Sequence, residues 1–204
     1  AMFDIDKIVT ALKTDPNMQR TAGAGAAGLA AGMLLGGGSI KKIAKYGALA
    51  AIGGLAYNAW QKSRQDNTAP DVETPPPGPF MPAPSDEIGQ EALGKALVRA
   101  MISAAKADGR IDGDEKERIF QRLEDMSLSA QEKAFVFDEL STPLDIEAVV
   151  RGADTPEHAA EIYAASLVAI DADTATERAY LEALASRLGL PDALVAEIHK
   201  AAAR

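Results

Sequence analysis

The sequence predicts an all-α protein: a C-terminal seven-helix bundle, preceded by Gly/Ala-rich N-terminal helices and a Pro-rich linker. Three observations carry that expectation. Apolar residues recur at three- and four-residue spacing from Ser85 onward, capping signals punctuate the same stretch, and no apolar/polar alternation lasts long enough for a strand.

Residues 1–64 open with a short amphipathic stretch, with Phe3, Ile5, Ile8, Val9 and Leu12 on one helical face, ended by Asp15-Pro16. Thr21 to Ile40 then runs for twenty residues without a charge, and Tyr46 to Gln61 for sixteen more, with the basic cluster Lys41, Lys42 and Lys45 between them. Both are candidate membrane segments, although a span needs about 20 predominantly apolar residues and 13 of the first twenty are Gly or Ala. In the first run Gly28, Gly32 and Gly36 recur every four residues, a glycine zipper that leaves a side-chain-free groove for a second helix and predicts self-association. Tyr46, Tyr57 and Trp60 sit near the ends of the second run, where amphipathic rings favour a membrane interface. A flexible tail or a soluble oligomer is the competing reading of the same composition. The leading Ala1-Met2 resembles a cloning remnant.

Residues 65–84 hold seven prolines, which break helices and favour extended polyproline II, so the stretch reads as a semi-rigid spacer. Residues 85–204 then give the bundle. Its first helix is expected over about Ser85 to Ala107, stopping at Asp108-Gly109. Asp112 with Glu115, Ser129 with Glu132 and Thr174 with Glu177 have the spacing of capping boxes and open the second, third and sixth helices. Thr142-Pro143 and Thr155-Pro156 place a hydroxyl before a proline and open the fourth and fifth. Gly189 ends the sixth and Pro191 opens the last.

Composition narrows the chemistry. There is no cysteine and only two histidines, His158 and His199, which excludes thiol nucleophiles and disulfides and makes a structural zinc site untenable. Residues 1–64 carry eight Lys/Arg against three acids, whereas residues 85–204 carry 13 basic and 24 acidic residues. Phosphates would repel the acidic part, so nucleic acid is not an expected partner, and the basic part suits anionic lipid headgroups. Neither histidine stands in a recognisable catalytic arrangement, and the Gly-rich runs lack the ending of a phosphate loop. The expectation is therefore a protein that is not an enzyme.

One binding chemistry is conceivable. Asp108, Asp112 and Glu115 in one turn, and Asp171, Asp173 and Glu177 in another, offer oxygen-only ligands of the kind calcium or magnesium takes. The two turns lie in stretches that resemble each other at an offset of 62, Ala107 to Leu128 and Ala169 to Leu190. The same acids serve equally as caps near helix N-termini, where negative charge is favoured. Both uses are open from sequence.

The segments Ala107-Asp-Gly-Arg-Ile-Asp-Gly-Asp-Glu115, Ala169-Ile-Asp-Ala-Asp-Thr-Ala-Thr-Glu-Arg-Ala-Tyr-Leu181 and Arg187-Leu-Gly-Leu190 resemble the TerB-like domain family. Together with the glycine-rich N-terminus and the Lys-Tyr-Gly-Ala-Leu-Ala-Ala stretch around Tyr46, they resemble its YebE-like branch of inner-membrane proteins. The resemblance implies a seven-helix bundle, a bacterial inner-membrane setting, a link to the tellurite-resistance superfamily and its stress response, and no established reaction. The combined expectation is a membrane-anchored scaffold that forms homo-oligomers through its Gly-rich helices and offers its acidic domain to a protein partner. A divalent-metal sensor or buffer is the alternative, and charge leaves the side of the membrane occupied by the bundle open.

Overall fold

The computed structural model describes residues 3–13, 47–64, 72, 75–76, 78–107, 111, 113–125, 127–170, 172 and 174–203. Among them are nine helices: α1 (Ile5–Lys13), α2 (Ala48–Arg64), α3 (Glu87–Lys106), α4 (Gly113–Asp125), α5 (Ala130–Ser141), α6 (Ile146–Val150), α7 (Pro156–Val168), α8 (Ala175–Arg187) and α9 (Asp192–Ala202). The chain is all-α, and the extended pairing seen among these residues is one isolated bridge between Gly78 and Met81.

The central pair is α3 and α7, fully buried along one side of each. Leu97, Met101 and Ile102 of α3 meet Ile162, Tyr163 and Ala164 of α7 in one apolar core. Ser166 Oγ donates to the Ala100 carbonyl across the same interface, at 3.3 Å. The apolar run Ala159–Val168 surrounds α7, as expected of a helix packed on several sides. Around this pair, α5 and α6 lie on α3, α8 lies on α7, and α4 rests on α1 and α5.

Helices from both sides of the Pro-rich stretch share that core. The amphipathic face read at Phe3, Ile5, Ile8, Val9 and Leu12 is buried against α3 and α4. The second apolar run, a candidate membrane segment from sequence, is α2, and its small residues Ala48, Ala51, Gly53, Ala56 and Ala59, with Ile52, pack in the protein core, where α2 lies on α9 and α7. No helix among the described residues is long and apolar enough to cross a membrane. Side chains as small as Ala and Gly permit close helix approach in protein as in lipid, so composition alone suited both. The zipper residues Gly28, Gly32 and Gly36 lie outside the described residues.

Polar contacts fix the N-terminal helices. Asp6 Oδ1 accepts from the Ala48 amide at 2.6 Å, so a side chain of α1 caps the N-terminus of α2 beside Gly47, whose φ of +85° needs glycine. Glu132 completes the capping box with Ser129 and also accepts from the Asp4 amide, joining α1 to the start of α5. Burial alone would raise the Glu132 carboxyl, but these hydrogen bonds outweigh it and hold its pKa below the usual value.

Two sequence expectations shift. Thr142 closes α5 rather than opening a helix. Its hydroxyl donates back to the Asp138 carbonyl at 2.7 Å, and Asp145 caps α6 by accepting from the Glu147 and Ala148 amides. The described part of the Pro-rich stretch is no free spacer but a strap laid on α2. Asn58 exchanges two hydrogen bonds with the Val72 backbone, at 2.7 and 2.9 Å, and Phe80 is buried edge-on between Tyr57 and Trp60.

Candidate binding cleft

Gly189, at φ +66°, ends α8 in a left-handed turn, with the Leu190 amide bonded back to the Ala185 carbonyl. Pro191 then caps α9 at once, so a short turn joins α8 and α9. The wedge between them, floored by α7, is an open cleft of about 900 Å³. Leu181, Ala185, Leu190 and Val195 form its apolar wall, and Arg178, Glu182, Ser186 and Asp192 stand around it.

At the floor, the buried Tyr163 hydroxyl lies 2.9 Å from His199 Nε2, so the phenol and imidazole share one hydrogen bond. Burial pushes the Tyr163 phenol up to about 12, and the nearby Glu182 carboxylate adds to the shift. Partial burial lowers the His199 imidazole. Both rings are therefore neutral near pH 7, a donor–acceptor pair at the base of the cleft. Across the cleft, Arg178 donates to the carbonyl of Ala172, a non-glycine residue at φ 54°. Nothing local in the sequence singles out either Tyr163 or His199. The two are 36 residues apart, and no local pattern joins them.

A second, smaller pocket of about 390 Å³ lies between α3, α5 and α6. Its charges satisfy one another: Lys106 donates to the Glu139 and Thr142 carbonyls, at 2.5 and 2.6 Å, and Arg99 pairs with the Glu139 carboxylate at 2.6 Å. That pocket reads as a clamp holding α5 on α3.

Of the acids considered for a divalent cation, Glu177 is buried, and its Oε2 accepts from the Thr174 amide and hydroxyl, each at 3.0 Å, in a complete capping box. Asp108, Asp112, Asp171, Asp173 and the side chain of Glu115 lie outside the described residues. Among the described residues no group of three His, Asp or Glu side chains could hold a metal ion. His158 sits in the first turn of α7, where its amide donates to the Thr155 cap.

A family model described as "Protein of unknown function (DUF533)" matches residues 19–202. The chain belongs to that family. The match runs from before α2 to the end of α9, so it takes in the cleft, the strap and residues 19–47 ahead of α2. A relative from Yersinia enterocolitica, "Uncharacterized protein in ampR 5'region", is 36% identical to this DUF533 chain over 95 residues, covering 47% of the chain and 68% of the relative. No solved structure matches.

Proposed function

We propose that this DUF533 protein is a non-enzymatic interaction module of the bacterial envelope, a TerB-like helical domain tethered at the inner membrane that offers the Tyr163–His199 cleft to a protein partner. The cleft is the observation that carries the reading. Its apolar wall, neutral hydrogen-bonding floor and charged rim are the make-up of a site that binds and orients a ligand. The tether would be the uncharged run Thr21 to Ile40 with its Gly28, Gly32 and Gly36 zipper, and Lys41, Lys42 and Lys45 would meet anionic headgroups. With α1 and α2 packed on each other, we take both ends of such a tether to lie on the bundle's side of the bilayer. Tethered copies would then share one surface and raise the effective concentration of weakly binding clefts.

Two measurements test it. The full chain should float with vesicles containing phosphatidylglycerol, and a variant with residues 14–46 replaced by a Gly/Ser linker should remain at the bottom of the gradient while keeping its melting transition. Equal behaviour of the two would remove the tether. A photo-crosslinker at Ser186, on the cleft, should give a discrete protein adduct in cells that the same group at exposed Ile88 does not. Identical adducts from both positions, or none from Ser186, would refute the cleft as a binding face.

A further inference from the structure

Two residues from Tyr163, and so about 200° around α7, Glu161 points away from the cleft into the interface with α2. It is 0% exposed, and neither carboxyl oxygen has a hydrogen-bond partner among the described residues. Gly53 of α2 marks what surrounds it. A Cβ there would stand 2.6 Å from the Phe80 carbonyl oxygen, 3.1 Å from Glu161 Oε1 and 3.3 Å from Pro75 Cγ. Thus α2, α7 and the strap meet beside Gly53, and the described strap atoms nearest that point are an acceptor oxygen and a proline ring. Neither can donate a hydrogen bond.

The strap is held by other means. Phe80 sits edge-on to Tyr57 and Trp60, with ring centroids 5.6 Å away in each case, and Asn58 holds the Val72 backbone. Among the described residues it fills the aromatic half of the α2–α7 groove and gives the Glu161 carboxyl no hydrogen bond. A buried carboxyl without a donor is costly, and an apolar side chain of similar size would fill the space without that cost. Arg64 stacks over Trp60 at 4.6 Å on this face, yet among the described residues no cationic donor reaches the Glu161 carboxyl beside the aromatic anchor.

We propose that the α2–α7 groove is a recognition site for an extended peptide segment carrying a Lys or Arg next to an aromatic anchor, and that the Pro-rich strap occupies it in cis as an autoinhibitory stand-in. The incoming aromatic ring replaces Phe80 between Tyr57 and Trp60. The incoming ammonium or guanidinium reaches the position now filled by the Pro75 ring, donates to Glu161 and stabilises its charged form. The surface is separate from the Tyr163–His199 cleft, and the proposal stands without it.

Trp60 is the only tryptophan of the chain, so its fluorescence reports on the groove. The probes are a peptide of the strap's own residues 74–82 and the same peptide carrying P75K, each titrated into the full chain carrying Phe80→Ala, which vacates the anchor pocket. The lysine peptide should bind about ten- to a hundredfold tighter than its parent, as a charge-assisted hydrogen bond warrants. Adding Glu161→Gln to the chain should erase that difference. Equal affinity of the two peptides, absence of binding by both, or a lysine advantage that survives Glu161→Gln would overturn the proposal. Should Phe80→Ala not fold, P75K placed in the otherwise intact chain gives the same test in cis. It should raise the melting temperature in the Glu161 protein and not in the Glu161→Gln protein, and an unchanged or lowered value in both would overturn the proposal.

Discussion

Replacing Glu161 by Gln should stabilise the protein by an amount that grows with pH. Burial pushes the Glu161 carboxyl well above the ordinary value of 4.5, and Glu157, one turn earlier on α7, adds to the rise. The folded protein therefore keeps a proton that the unfolded chain releases. Stability from this group is fully present below the unfolded value near 4.5 and drains away as pH climbs toward the raised folded value. One proton gives a slope of up to about 1.4 kcal/mol per pH unit in that window. For a chain of this size that is about 3–6 °C in melting temperature per unit. Gln carries no such proton, so the difference between variant and parent should open upward from pH 5. His199 runs the other way, since its lowered imidazole makes the folded state less stable as pH falls below the ordinary value of 6.5. It is common to both proteins and cancels in the difference. Thermal melts of both from pH 5 to 8 supply the measurement, and a difference that stays flat would show Glu161 ionising as a solvated carboxylate and refute the argument.

Other perturbations have equally definite outcomes. Gly53→Ala places a methyl group 2.6 Å from the Phe80 carbonyl, a backbone atom, and should cost about 1–3 kcal/mol while changing Trp60 emission as the strap shifts. Asp6→Ala removes the cap on α2 and should cost about 1 kcal/mol in denaturant melts, with Asp6→Asn recovering part of the loss. Tyr163→Phe deletes one hydrogen bond at the cleft floor, worth about 1 kcal/mol, and should alter the His199 ring resonances while leaving those of His158 in place. Thr174→Ala dissolves the capping box that uses Glu177 and should lower stability by about 1 kcal/mol in the same melts.

The helices were legible where the signal is local. Ser129 with Glu132, Thr155 with Pro156 and Thr174 with Glu177 each combine a capping group with its partner within one turn, and each marks a helix start. Thr142-Pro143 carries the same signal as Thr155-Pro156, yet it stands at the end of α5. A threonine before a proline suits the end of a helix as well as its beginning, and the hydroxyl bond back to Asp138 decides it. The role of α2 depended on what lies opposite its Ala and Gly face. The partners on α7 and α9 are more than ninety residues away in the chain, and no pattern within α2 encodes them. The cleft and the groove were hidden for the same reason. Tyr163 with His199, and Glu161 with Gly53 and Phe80, become neighbours only once α7 is in place. A signal for Glu161 was present, a lone acid inside the apolar run Ala159–Val168.

The docking of α2 on α9 also sets a timetable for synthesis. Arg64 ends α2 and Asp192 begins α9, so 128 residues must be added before the second partner of α2 starts to exist. At roughly 5–20 residues per second, that is a wait of about 6–26 s with one face uncovered on the ribosome. A Leu-rich helix left bare for that long would be a target for aggregation. The Ala and Gly of α2 expose little apolar area while they wait, yet pack closely when α9 arrives.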